Sequence, residues 1–221
     1  MKFVRLFLMG GLVLMFAITG CDKKNNPVVP DEAVGTYVGF FVSVDTTAGL
    51  IVVNVESSGN VNGSAYLWED SLVAVGIAGR IENNVFTGSA TDSTPLVGSL
   101  EGTTITGTAG GGEAVFTLER ASGTVTVLKY SGSYSGTSVD GPESGGLFLL
   151  TAATTMWGVV LDSVGTADQF LIGVISGSSV SLRGADDLGT EIATGSLSGN
   201  TWSGTYSGDQ SSGTWSATRI P

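Results

Sequence analysis

One segment occurs twice in the 221-residue chain, and this repeat restricts the fold more than any other feature. The segment reads GSLEGTTITGT at 98–108 and GSLSGNTWSGT at 195–205, a displacement of 97 residues. A second pair, GTYVG at 35–39 and GSYSG at 132–136, keeps the same displacement. Two pairs that share one spacing indicate that a folding unit has been duplicated.

The two copies also end alike, with AVFTLER at 114–120 and GTWSATR at 213–219. The repeat therefore predicts two homologous domains, at 35–120 and 132–221, with a linker at 121–131 between them. Each domain is long enough to bury a core of its own.

The residue pattern of both copies is typical of antiparallel strands. Trp202, Gly204 and Tyr206 alternate with Thr201, Ser203 and Thr205, so one face is apolar and the other is polar. Before them, the pair Gly199–Asn200 suits a two-residue turn because both residues tolerate positive φ. The 34 glycines have no three-residue period, which fits frequent turns rather than collagen. The sequence thus predicts an all-β protein.

Each copy contains about eight short segments joined by tight turns, which favours an up-and-down meander. In the second copy these segments begin near Gly132, Gly145, Thr155, Asp168, Ser178, Glu191, Thr201 and Gly213. Eight such strands can close into a barrel, which removes the unpaired sheet edges. We therefore expect two tandem eight-stranded antiparallel barrels. An open β-sandwich, or one continuous sheet across both copies, is the alternative.

The N-terminus has the pattern of a secretory signal peptide over residues 1–20. Lys2 and Arg5 precede an uncharged run at 6–20, and the run is shorter than the roughly 20 apolar residues that a transmembrane helix needs. The following ITGC, at 18–21, resembles the lipobox of bacterial lipoproteins. That resemblance implies that Cys21 is lipidated and becomes the new N-terminus.

Cys21 is the only cysteine, so an exported chain of this kind has no internal disulfide. Residues 21–34 carry asparagine and proline and predict a flexible tether between the lipid and the first domain. The expected location is the bacterial cell envelope, at the outer membrane or cell surface. Asp22 resembles the inner-membrane retention signal of enteric bacteria, which leaves the periplasmic face of the inner membrane as the alternative.

Two further pairs of residues resemble a feature of the calycins, the group that includes lipocalins and avidins. Calycin barrels begin with Gly-x-Trp and carry an arginine on the last strand that packs over the indole. Here Tyr37 and Tyr134 stand in the tryptophan position, and Arg120 and Arg219 lie near the ends of the two copies. The resemblance implies that Arg120 packs on Tyr37 and Arg219 on Tyr134, as barrel-closing cation–π contacts.

The composition excludes several kinds of chemistry. The chain has no histidine, so Ser-His-Asp and Cys-His catalysis and zinc sites built on imidazole are ruled out. Its net charge of −11 would repel phosphate backbones, and nucleic acid is not an expected partner. No cofactor or metal is predicted, and we expect that the protein is not an enzyme.

Carboxylates remain as candidates for acid–base chemistry: Glu69, Asp70, Asp162, Asp186 and Asp187. Each is flanked by turn-forming residues, which favours solvated loop positions instead of a catalytic pair. The GGGE run at 110–113 lacks the lysine and following helix of a phosphate-binding loop, and it predicts a hairpin turn.

Four tryptophans are candidates for the lining of a sugar or lipid site: Trp68, Trp157, Trp202 and Trp215. Trp202 and Trp215 correspond to Ile105 and Phe116 in the other copy, which indicates core positions. Trp68 follows a tyrosine and precedes two acids near an expected strand end. An exposed position that could bind a ligand is therefore easier to reconcile with Trp68 than with Trp202 or Trp215, but no site is predicted there.

These observations predict a lipid-anchored, non-catalytic envelope protein that acts as a binding or structural module. Its expected partners are the membrane, through lipidated Cys21, and an envelope protein or glycan. A carrier of a small apolar ligand inside one barrel is the second hypothesis, and a glycan-active enzyme the third. The first is preferred because a short-stranded barrel fills its own interior and leaves little room for a ligand cavity of roughly 300–1,000 Å³.

Overall fold

The computed structural model describes residues 29–186, 192–208 and 210–221. In these residues the protein is all-β and forms two tandem closed barrels, each of eight antiparallel strands in up-and-down order. The predicted fold class is therefore confirmed, and the sandwich and continuous-sheet alternatives are wrong. The expected signal peptide, Cys21 and Asp187 lie outside the described residues.

The first barrel follows a short 3-10 turn at Asp31–Ala33 and closes by pairing its first strand with its last. Its strands are β1 Gly35–Ser43, β2 Ala48–Val55, β3 Asn60–Trp68, β4 Leu72–Glu82, β5 Val85–Ala90, β6 Pro95–Glu101, β7 Thr104–Ala109 and β8 Ala114–Arg120.

The second barrel closes in the same way, with its first strand paired to its last. Its strands are β9 Leu128–Ser138, β10 Gly141–Ala152, β11 Thr155–Leu161, β12 Ala167–Ser176, β13 Ser179–Gly184, β14 Ala193–Ser198, β15 Thr201–Ser207 and β16 Ser211–Ile220. This barrel begins at Leu128, four residues before the predicted boundary at 132, because the end of the expected linker pairs with β10 and β16.

The repeated segments form equivalent hairpins, β6–β7 and β14–β15. Their two-residue turns begin with Gly102 and Gly199, and both glycines have φ of +59°. Leu100 pairs with Ile105, and Leu197 pairs with Trp202, so the register of the two hairpins is identical. The GGGE run forms the hairpin turn between β7 and β8, as predicted.

The register corrects the alignment of the two first strands. Tyr37 lies opposite Arg120 in the first barrel, whereas Arg219 lies opposite Tyr130 in the second. Tyr134 lies opposite Trp215 instead. Because Tyr134 is four positions along β9 from Tyr130, or about 13 Å at 3.3 Å per residue, the expected contact between Arg219 and Tyr134 does not form.

The equivalent segments of β1 and β9 are therefore YVGFF at 37–41 and YSGSY at 130–134. Tyr37 corresponds to Tyr130, and both side chains are buried in their barrels. The shared feature is Tyr-x-Gly rather than Gly-x-Tyr. The matched spacing of 97 residues misled the alignment because β9 has two tyrosines on the same face.

Tyr37 and Arg120 both hold the segment that precedes β1. The Tyr37 hydroxyl donates to the carbonyl of Ala33 over 2.9 Å, and Arg120 Nε donates to the carbonyl of Val34 over 2.7 Å. Val29 and Ala33 are buried against the core of the first barrel. Both members of the predicted pair thus hold the segment before β1 through hydrogen bonds to its backbone, and the cation–π contact between them stays a prediction.

A third apolar cluster lies between the barrels and joins them. It contains Ala185, which follows β13, and outward-facing residues of β1, β2, β10, β11 and β12: Val38, Ala48, Leu50, Phe148, Leu150, Ala152, Trp157, Val159 and Ile172. The indole of Trp157 is fully buried there and donates to the carbonyl of Ala48 over 3.0 Å. These strands are consequently buried on both faces, which explains their nearly continuous apolar sequences.

No helix in the described ranges is long and apolar enough to cross a bilayer.

Candidate functional site

The largest difference between the two barrels is a cavity in the second. This cavity has a volume of about 230 Å³, whereas the corresponding void in the first barrel is about 10 Å³. The interior of the first barrel is therefore filled, as expected, whereas the second barrel keeps a cavity that is smaller than the roughly 300–1,000 Å³ of most ligand sites. The polar and aromatic side chains that define the site are Tyr134, Glu143, Asp168, Gln169, Tyr206 and Trp215.

At two matched positions the second barrel has smaller side chains than the first, although the larger Tyr206 and Trp215 stand where the first barrel has Ala109 and Phe116. Leu96 pairs with Ala109 in the first barrel, and the residue at the same position in the second is Ala193, which pairs with Tyr206. Phe86, which packs edge-to-face on Phe116, fills the first barrel, and its counterpart is Val180. Trp202 in place of Ile105 adds bulk, but it lies deeper and does not line the cavity.

Glu143 and Tyr206 meet across the open end of the second barrel. The Tyr206 hydroxyl donates to Glu143 Oε1 over 2.6 Å. Between them in the sheet lie Gly213 and Gly136, which pair with each other. A Cβ at Gly213 would come within 2.6 Å of the Tyr206 hydroxyl, and one at Gly136 would overlap it. Two glycines therefore create the space through which Tyr206 reaches the carboxylate.

Tyr134 and Tyr206 form two adjacent walls of the cavity. Their ring centroids are 5.9 Å apart, and the ring planes are almost perpendicular, at 85°. Burial raises the pKa of Tyr206 well above its ordinary value, and the hydrogen bond to the Glu143 carboxylate raises it further. Burial also raises the pKa of Tyr134, with smaller contributions from Asp168, Glu143 and Asp162. Both phenols are therefore neutral at physiological pH.

The charged groups at this end of the barrel are acidic. Glu143 is half-buried and Asp168 is exposed at the rim. The Asp186 carboxylate and the Gln169 amide both lie over Gly184, where a Cβ would come within 2.9 Å of the amide nitrogen. An ion pair joins Arg80 to Glu82 in the first barrel, and within the described residues neither Glu143 nor Asp168 forms an ion pair with a basic side chain.

The same residues do not form a metal site. Within the described ranges, no group of three or more aspartate, glutamate, cysteine or histidine side chains is close enough to hold a metal ion. The polar lining contains hydroxyl, amide and carboxylate groups, which can accept hydrogen bonds from a ligand and attract positive charge.

Of the residues singled out from the sequence, Tyr134, Asp162, Asp186 and Trp215 lie at or near this end of the second barrel. Trp215 is buried in the second barrel, as predicted, and its indole donates to the carbonyl of Thr194 over 3.1 Å at the cavity wall. Asp186 lies at the same end of that barrel. Asp162 accepts hydrogen bonds from two backbone amides of its own turn, as expected for a loop carboxylate. Trp202 is also buried, as predicted.

Trp68 and the two acids after it do not form a binding site. Trp68 packs on Phe148 of the second barrel, with ring centroids 5.2 Å apart, so it belongs to the cluster between the barrels. Glu69 and Asp70 are exposed in the β3–β4 loop. The contacts of Trp68 are structural.

Sequence reasoning missed Glu143 and Asp168. Both are single acids among glycine, serine and alanine, and neither belongs to a recognisable motif. A signal was present in the comparison of the copies, because the first barrel has the small residues Ala109 and Ala114 where the second has Tyr206 and Gly213. The replacement of Ala109 by a tyrosine in the second copy indicates that this end of the second barrel differs in function from the same end of the first.

No protein-family model matches the chain, and neither a curated protein nor a solved structure matches it. The lipobox and the likeness to calycins stay predictions from the sequence.

Proposed function

We propose that this protein is a lipid-anchored module of the bacterial cell envelope whose second barrel binds a small ligand without catalysis. The observation that carries the proposal is the cavity of about 230 Å³ at the open end of that barrel. Apolar side chains form its inner part, and a few polar groups stand at its mouth. This combination is typical of small-molecule sites.

The first barrel has a supporting role in this proposal. Its interior is filled, and its outer face packs against β10, β11 and β12 of the second barrel. The buried contact between the barrels holds β10, which carries Glu143, and β12, which carries Asp168. A rigid platform of this kind keeps the cavity in shape without a ligand, which reduces the ordering cost of binding.

The anchor is the part of the proposal that rests on the leader and Cys21. Metabolic labelling with a fatty acid tests it: the wild-type protein should take up label and fractionate with membranes. Cys21→Ser should abolish both. Equal labelling of the variant and the wild type, or no labelling of either, would contradict the lipoprotein assignment and leave the cavity proposal standing.

The ligand site is tested by thermal unfolding of the purified full-length protein with phenol, cyclohexanol or choline. At least one of these compounds should raise Tm in a saturable manner, because a ligand that binds the folded state stabilises it. Ala193→Leu restores the residue of the first barrel and fills the cavity, so it should abolish the rise in Tm.

Thr205→Leu is the matched control, because it adds similar bulk at a neighbouring exposed position on the outer face of β15. This variant should respond to the compounds as the wild type does. If none of the three compounds raises Tm, or if Ala193→Leu and the wild type respond alike, the cavity does not bind small molecules and the proposal is wrong.

A further inference from the structure

We infer that the ligand of the second barrel is a small organic cation, an amine or quaternary ammonium compound with a compact apolar body. This inference rests on the proposed function and adds the chemical class of the ligand to it. Three properties of the cavity lead to it: the sign of its charge, the kind of its aromatic walls and its size.

The charge of the lining is negative and uncompensated. Within the described residues, the single hydrogen bond to Glu143 comes from Tyr206, and Asp168 has neither a hydrogen bond nor an ion pair. A neutral ligand that covered these carboxylates would remove water from them without replacing its hydrogen bonds, which is unfavourable. A cation replaces the water with a direct electrostatic attraction.

The aromatic walls suit a cation as well. Tyr134 and Tyr206 stand at 85° to each other, and Trp215 completes the set beside them. The Trp215 ring is held in place by the hydrogen bond from its indole to Thr194. Perpendicular aromatic rings present electron-rich surfaces from two directions, and rings of this kind together with carboxylates recognise quaternary ammonium groups.

The size of the cavity sets the upper limit for the ligand. A cavity of about 150 Å³ holds benzene, so the 230 Å³ here corresponds to about nine non-hydrogen atoms. Choline is below this limit. A bare metal ion fits less well, because the described residues contain no set of three ligating side chains at this place.

The first barrel supplies an internal comparison. At the level where the second barrel has Tyr206 and Gly213, the first has Ala109 and Ala114, and Ser43 pairs with Ala114. Among the aromatic walls, Tyr206 is thus specific to the hollow barrel, whereas Tyr134 and Trp215 have the aromatic counterparts Phe41 and Phe116 in the filled barrel.

Isothermal titration calorimetry of the full-length protein tests the inference with choline and its neutral isostere, 3,3-dimethylbutan-1-ol. Choline should bind at least about tenfold more tightly than the isostere, the ratio expected when a cation–π and charge interaction is lost. Glu143→Gln should weaken choline binding by about tenfold, because glutamine keeps the hydrogen bond from Tyr206 but removes the charge.

Glu101→Gln is the matched control, since Glu101 is an exposed acid on the first barrel. It should leave choline binding unchanged. If Glu101→Gln weakens binding as much as Glu143→Gln, choline is attracted by the overall negative charge and the inference is overturned.

Two other results overturn the inference in different ways. Equal binding of choline and its isostere, unaffected by Glu143→Gln, would show a cavity that binds small molecules without preference for a cation. If phenol or cyclohexanol binds and choline does not, the cavity likewise has no preference for a cation. In both cases the proposed function would stand. Failure of all four compounds would remove the proposed function as well.

Discussion

The indole of Trp157 in the second barrel donates a hydrogen bond to the backbone carbonyl of Ala48 in the first, over 3.0 Å. Both residues are completely buried in the cluster between the barrels. The two copies of the duplicated unit are therefore joined by a specific polar contact inside an apolar interface.

The first prediction compares two tryptophan-to-phenylalanine substitutions. Trp157→Phe should lower the free energy of unfolding by about 1–3 kcal/mol more than Trp202→Phe, as measured by denaturant unfolding. The reason is that Trp157→Phe leaves the buried carbonyl of Ala48 without its donor. The indole nitrogen of Trp202 is buried and has no hydrogen-bond partner in the described residues, so its removal offsets part of the lost packing. Equal losses would mean that the contact with Ala48 contributes nothing.

The second prediction concerns the close approach of strands within each barrel. A Cβ at Gly39 would overlap the backbone carbonyl of Thr117 on the neighbouring strand, whereas one at Gly76 would meet only the Thr91 methyl group at 3.1 Å. Gly39→Ala should therefore destabilise the protein by about 1–3 kcal/mol, and Gly76→Ala should change stability by less than about 1 kcal/mol. Denaturant unfolding measures both. A tolerated Gly39→Ala would contradict the tight closure between β1 and β8.

The third prediction is a loss of stability at alkaline pH. An unfolded tyrosine ionises near pH 10, whereas burial and Glu143 keep Tyr206 protonated in the folded state to a higher pH. Above about pH 10 the unfolded state thus binds fewer protons, and stability should fall as pH rises, while below that pH this contribution is fully present. Tyr206→Phe should reduce the slope of the free energy of unfolding against pH above 10.

Glu143→Gln provides the control for this pH dependence. This variant keeps an oxygen that accepts the hydrogen bond from Tyr206 but removes the charge. It should therefore reduce the slope of the free energy of unfolding against pH by less than Tyr206→Phe does. An identical slope in the wild type and Tyr206→Phe would show that Tyr206 ionises in the same range in both states.

Most of the fold was predictable because its signals are local. Alternation of apolar and polar residues marks the strands, and glycine turns such as those at Gly102 and Gly199 mark their ends. The duplication added the boundaries of the units. Even so, the first strand of the second barrel was displaced by four residues, because Tyr130 and Tyr134 both face inward and only one of the two pairs with Arg219.

The contact between the barrels and the cavity depend on residues far apart in the chain. Continuous apolar runs, LIVV at 50–53 and LFLL at 147–150, indicate strands buried on both faces, but they do not say which strands cover them. The meeting of Tyr206 and Glu143 depends in addition on Gly136 and Gly213, which lie on two intervening strands. Such a constellation has no sequence motif.

The central claim is that the open end of the second barrel is the ligand site, and the four indole N–H groups test it most directly. They lie at separate places: Trp215 at the cavity, Trp202 deeper in the same barrel, and Trp68 and Trp157 between the barrels. Their signals in a ¹H–¹⁵N spectrum of the full-length protein can be assigned with single phenylalanine substitutions. On titration with choline, the Trp215 signal should shift saturably, those of Trp68 and Trp157 should stay in place, and Ala193→Leu should abolish the shift. An unmoved Trp215 signal, or shifts confined to Trp68 and Trp157, would contradict the account.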